Sequence, residues 1–202
     1  MTIETQGCGD IAIATLNANV TAPEGMGIEG WYHVVCRDKD GNIKWEEEFP
    51  NLVVAVGKQL MLDTLLRTSG TYTTVGPFLA LTKATLTPAA TDTMATVATS
   101  GNEFVNYTYS GSAVRATLTF AAATSTGTTP SNVTSSTATA ATFTITGAGG
   151  TVYGCFLATG TGAVNTQLST AGTLYSEGNF STAKTTTAGD TVSVTYSTTA
   201  TS

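Results

Sequence analysis

Apolar and polar residues alternate along most of this chain with the period of a β-strand, and the pattern breaks into a helical period only once. From Trp31 to Arg37, Trp31, His33 and Val35 fall on one face and Tyr32, Val34 and Cys36 on the other. That alternation predicts a strand buried on at least one side. A second alternating run follows, with Ile43, Trp45, Glu47 and Phe49 on one face and Lys44, Glu46 and Glu48 on the other, which is expected to be wet. Between the runs stands Asp38-Lys39-Asp40-Gly41-Asn42. Asp-Gly between two alternating runs is the strongest short-range signal for a hairpin. Glu47 interrupts its apolar face and marks a bulge or the edge of a sheet.

After Pro50 the period changes. Leu60, Met61, Leu62, Leu65 and Leu66 predict a helix over 57–67 with one apolar stripe, leaving Lys58, Gln59, Asp63 and Arg67 outside and stopping at Ser69-Gly70. Beyond Tyr72 the chain returns to strands. They are expected at 77–82, 104–109, 113–120, 141–146, 152–158 and 190–198, where β-branched and aromatic residues gather. Residues 85–101 and 121–136 read as loops, and Glu177-Gly178-Asn179 as the tip of a hairpin between two short apolar pieces. Eight or more short strands with turns between them predict a mainly β fold. It is an antiparallel β-sandwich, jelly-roll-like, with one short α-helix after the first hairpin. Residues 30–202 read as a single domain, and 1–29 as an extended amino-terminal arm that reaches a neighbour or lies along its own sheet.

Composition narrows the class. Of 202 residues 41% are hydrophobic, enough for a sizeable core, while only 11% are charged. The surface must therefore be hydroxyl, amide and backbone. Such a surface suits a shell component packed against neighbours, or an extracellular or virion exterior. The net charge of −6 and the absence of a basic stripe argue against direct binding to nucleic acid. Lys58, Arg67, Lys83 and Arg115 stand singly, in the manner of solvated surface residues. The first residues carry neither a basic start nor a long apolar run, so neither an export signal nor a membrane span is expected. Cys8, Cys36 and Cys155 lie far apart with no C-x-x-C, and read as buried thiols.

Candidate chemistry is sparse. His33 is the sole histidine and has no nucleophile motif beside it. Among Glu46, Glu47 and Glu48 only the first and last share a strand face, and no second acidic cluster completes a glycosidase pair. The 38–42 stretch imitates a calcium loop but has Ile43 and Phe49 where that loop needs Gly and Glu. Gly147-Ala148-Gly149-Gly150 lacks the P-loop lysine. The chain therefore reads as a non-enzyme, with no catalytic residue, no cofactor and no metal. The wet face Lys44, Glu46 and Glu48 is the candidate partner contact.

Two blocks then carry a resemblance. VVCRDKDGNIKWEEEFPNLVVAVGKQLMLDTLL (34–66) and TLYSEGNFSTAKTTTAGDTVSVTYS (173–197), with TDTMAT (91–96) and VYGCFL (152–157) between them, resemble small structural proteins of tailed bacteriophages. The resemblance implies a virion component made in the bacterial cytoplasm. On this reading it is a capsid decoration or cement protein on the outside of the shell. Its partners would be the major capsid protein and copies of itself in a homo-oligomer, with no membrane and no nucleic acid. The alternatives are a tail- or fibre-associated module, or a carbohydrate-binding sandwich using Trp45, Tyr107 and Tyr109.

Overall fold

The computed structural model describes residues 27–66, 75–122, 131–133 and 140–201. In chain order the elements are β1 (Gly27–Arg37), β2 (Ile43–Pro50), β3 (Leu52–Val53), α1 (Ala55–Leu66), β4 (Phe78–Thr82), α2 (Met94–Val97), β5 (Glu103–Phe104), β6 (Tyr107–Tyr109), β7 (Ala116–Thr117), β8 (Ser131–Val133), β9 (Ala141–Ile145), β10 (Gly150–Thr159), β11 (Thr173–Thr186) and β12 (Thr191–Thr201). They form two six-stranded sheets. Sheet A runs β2-β1-β12-β9-β6, with β8 also on β12. Sheet B runs β3-β11-β10-β4-β5, with β7 also on β4. Every pairing is antiparallel, so the expected antiparallel sandwich is the fold observed.

The alternating faces explain the packing. Tyr32, Val34 and Cys36 of β1, Val192, Val194 and Tyr196 of β12, and Phe143 of β9 point inward from sheet A. They meet Leu79, Leu81, Cys155 and Leu157 of sheet B. Burial of this kind contributes roughly 25 cal/mol per Å² of apolar surface and is the main force holding the sheets together. The hairpin between β1 and β2 closes as its Asp-Gly predicts. Gly41 adopts φ +87°, and the Asp38 carboxylate accepts the N–H groups of Asp40 and Asn42. At the other end of β1 side chains crowd the strand. A Cβ on Gly30 would stand 2.4 Å from the Tyr196 hydroxyl and 2.5 Å from Asn51 Oδ1, so a side chain there would have to displace both.

A second, smaller core lies on the outer face of sheet B. Val54, Ala80, Phe156, Ala158 and Leu174 are covered there by Met94, Val97 and Ala98 of α2 and its exit. Residues 85–101, read from sequence as loop, thus contain a short helix that roofs a sheet.

Several expectations are corrected. The helix begins at Ala55 and buries only Gly57, against the Tyr175 backbone. Its apolar residues do not turn inward: Leu60 is half-buried, while Met61, Leu62, Leu65 and Leu66, which share one side of the helix at 100° per residue, are exposed. The supposed hairpin tip at 177–179 is interior to the continuous strand β11, whose register shifts where it pairs with β10. The run at 113–120 holds only a two-residue strand, Ala116–Thr117, paired with sheet B, besides a single bridge from Val114 to Thr166, so the chain crosses between sheets after Tyr109. Arg115 is fully buried, not solvated. β1 starts at Gly27, inside the stretch assigned to the arm; residues 1–26, Cys8, Arg67 and most of the 121–136 connection lie outside the described residues.

Candidate functional site

The outer face of sheet A is the opposite of that of sheet B. Trp31, His33, Val35 and Arg37 of β1 point away from the core, as do Ser193 and Thr195 of β12 and Thr142 and Thr144 of β9. No cluster of buried apolar side chains lies over them among the described residues. Strand register sets these residues in rows across the sheet. Glu46 stands opposite Val35, Val35 opposite Ser193 and Ser193 opposite Thr142; Glu48 stands opposite His33 and His33 opposite Thr195. The Ser193 and Thr142 hydroxyls are 2.9 Å apart and hydrogen-bonded. His33 Nε2 and Glu46 Oε1 are 2.7 Å apart. The surface is broad, poor in charge and rich in hydroxyls, with Trp31 exposed at one end.

The three candidate contact residues all come from β2, the edge strand of this face, and they differ. Lys44 falls at the register shift opposite Cys36 and Arg37. Its ammonium reaches round the end of the sheet to Asp190 Oδ2 at 2.5 Å, with Thr187 Oγ1 at 3.3 Å. Burial alone would raise the Asp190 carboxyl, but the hydrogen bonds from Lys44 and Thr187 outweigh it and hold the group below the usual carboxylate range. Lys44 therefore fastens the turn before β12. Glu46 is oriented by His33, and Glu48 is exposed with no hydrogen bond to the described residues.

Glu47, the interruption in the apolar face, points into the open side of the sandwich. It takes the Lys184 ammonium at 2.6 Å and the Ser181 N–H at 2.6 Å. With Trp45 packed edge-on against Phe180 at 5.4 Å, it seals β2 of sheet A to β11 of sheet B. An inward-pointing charge at a sheet edge also discourages edge-to-edge pairing with other chains.

The aromatic residues considered for a carbohydrate face do not assemble one. Tyr107 is buried in the main core, Tyr109 is half-buried beside Phe143, and Trp45 lies against Phe180. Cys36 and Cys155 are free and buried, and burial pushes the Cys36 thiol up to about 11. Among the described residues no three His, Cys, Asp or Glu side chains gather to hold a metal ion. No described helix is long and apolar enough to cross a membrane.

Sequence reasoning missed two buried acids on the outer face of sheet B. Glu103 of β5 makes a two-pronged ion pair with Arg115, whose Nε and Nη2 donate at 2.9 and 2.8 Å. Glu103 Oε2 also accepts the Leu168 N–H at 2.9 Å, and Arg115 Nη2 donates to the Ser169 carbonyl at 2.8 Å. Glu177 of β11 lies beneath the 83–93 segment, with its carboxyl against that of Asp92. Burial, and then Asp92, push Glu177 up to about 8. Arg115 stood alone in sequence, and nothing near it announced a partner twelve residues upstream. Glu177 carried one weak signal: it sits in a run of otherwise small and apolar residues.

No protein-family model, no curated protein and no solved structure matches the chain.

Proposed function

We propose that the chain is a structural virion protein of a tailed phage, and that it decorates and stabilises the outside of the capsid through the exposed face of sheet A. One observation carries the reading: a broad, hydroxyl-rich strand face with few charges lies uncovered among the described residues while the opposite sheet is roofed. The resemblance of the 34–66 and 173–197 blocks to such proteins supports it. Many modest contacts over a large area suit a lattice, where repetition multiplies weak binding. A protein that binds the expanded shell but not its looser precursor stabilises that shell by mass action. The chain on this reading is not an enzyme, and its partners are the major capsid protein and further copies of itself.

The test uses particles with and without the protein, challenged by heat and osmotic shock, together with particles offered the Glu46→Lys, Glu48→Lys variant. The expected result is greater survival with the natural protein and at least tenfold lower occupancy for the variant, the size of effect lost charge contacts at an interface produce. Equal survival with and without the protein removes the stabilising role. Location of the protein at the tail replaces the capsid reading with the tail-associated one.

A further inference from the structure

We propose that the exposed apolar face of α1 is the docking site of this chain's own amino-terminal segment, residues 1–26. Of the twelve residues of α1 only Gly57 is buried. Met61 is 36% exposed, Leu62 51%, Leu65 81% and Leu66 70%. Four large apolar side chains on one short helix form a patch of the kind that folded chains cover. Beside them runs a groove between helix and sheet, lined by Leu60, Met61, Thr64, Leu65, Thr159 and Tyr175.

The place where the described chain begins selects the occupant. The ladder between β1 and β12 continues to Gly27, opposite Thr201. Two residues inward, the Glu29 carbonyl accepts the Thr198 hydroxyl at 3.0 Å. Thr198 in turn hydrogen-bonds with Tyr175, and the Tyr175 hydroxyl lies 3.5 Å from Met61 Sδ. The chain thus enters the fold two side chains away from the groove. Twenty-six residues can extend to roughly 85 Å, far more than that gap requires. The segment brings Ile11, Ile13, Leu16 and Val20, and no Lys or Arg to be desolvated on an apolar surface. The other candidate within the chain, residues 67–74, offers a single large apolar side chain, Tyr72. It is also held to a short path, because Val75 is fixed by the Gly160 N–H and the Thr159 hydroxyl. The inference is independent of the virion reading.

A photoreactive side chain at position 65 of the full-length chain tests it, in an equal mixture of isotopically heavy and light copies. The expected cross-link joins position 65 to a peptide within residues 1–26 of the same isotope. A cross-link to another segment, to a copy of the other isotope, or to nothing overturns the proposal. Hydrogen exchange gives a second measurement. Ile11→Asp with Ile13→Asp is expected to speed exchange of the 55–66 amides by about tenfold or more, while those of β1 and β12 stay unchanged. Unchanged exchange in α1 overturns it as well.

Discussion

Two glutamates are buried on the same outer face of sheet B, and their surroundings are opposite in kind. Glu103 meets a guanidinium; Glu177 meets a second carboxyl. Phe156 lies between the two arrangements. Arg115 sits over its ring at 5.3 Å, and its backbone pairs with that of Glu177 in the ladder between β10 and β11. Each acid lies under a covering segment. The Glu103–Arg115 pair holds the 160s loop through Leu168 N–H and the Ser169 carbonyl, and it keeps Leu168 at φ +63°, a conformation leucine rarely adopts. Glu177 lies under the 83–93 segment, which is also tied down by Asn179 Nδ2 donating to the Leu86 carbonyl and Ala55 N–H to the Ala90 carbonyl. Both oxygens of Glu177 are buried without a well-placed partner among the described residues, with the Asp92 carboxyl and the Ala89 N–H nearby, a setting that favours the protonated acid. One cover is pinned by an ion pair, and the other lies over an acid that burial keeps protonated.

Removing the charge is expected to do the most damage. Arg115→Met leaves Glu103 buried without its counter-charge and should cost about 3–5 kcal/mol, measured by denaturant unfolding. The 160s loop should become susceptible to protease. A loss below about 1 kcal/mol would mean that Glu103 is not left as an uncompensated buried charge.

Removing the proton should cost less and should depend on pH. The folded Glu177 lies near 8 against an ordinary 4.5. The native state therefore holds this proton over a range where the unfolded chain has lost it. Its stabilising contribution is complete below about pH 4.5, falls as pH rises through about 8, and then levels off. At ~1.4 kcal/mol per unit the whole change is on the order of a few kcal/mol. Glu177→Gln keeps the shape and a donor and should flatten that slope. Asp190 and Glu47 act in another window. Both lie below their ordinary values, so what they contribute is present above about pH 4 and is lost as pH falls further. A slope between pH 5 and 8 that survives Glu177→Gln would assign the proton elsewhere.

Strand faces were legible in the sequence because a period of two reports burial directly: Tyr32, Val34 and Cys36 point inward as the alternation requires. The Asp-Gly turn was legible because its chemistry is local. The roof on sheet B was not. α2 is four residues of Met-Ala-Thr-Val, too short to show a helical period, and what it covers lies on β4, β10 and β11, distant in sequence. Arg115 and Glu103 were illegible for the same reason, since lone charges read as solvated until packing brings them together. The leucines of α1 gave a true helix, but periodicity could not say which way their face would point: Met61, Leu62, Leu65 and Leu66 are exposed.

The smallest effect is expected on the uncovered face, at a hydrogen-bonded pair as close as the buried one. His33 Nε2 and Glu46 Oε1 are 2.7 Å apart, no farther than the atoms of the Glu103–Arg115 pair, yet the two side chains are 37% and 49% exposed. Distance is then nearly constant across the two pairs and exposure is what varies. Water already solvates both partners of the outer pair, so Glu46→Gln should change unfolding stability by no more than about 0.5 kcal/mol. A cost approaching that of Arg115→Met would show that the outer face of sheet A is buried against something in solution. A near-zero cost, with occupancy on particles still reduced by charge reversal at Glu46 and Glu48, would separate the residues that hold the fold from those that meet a partner.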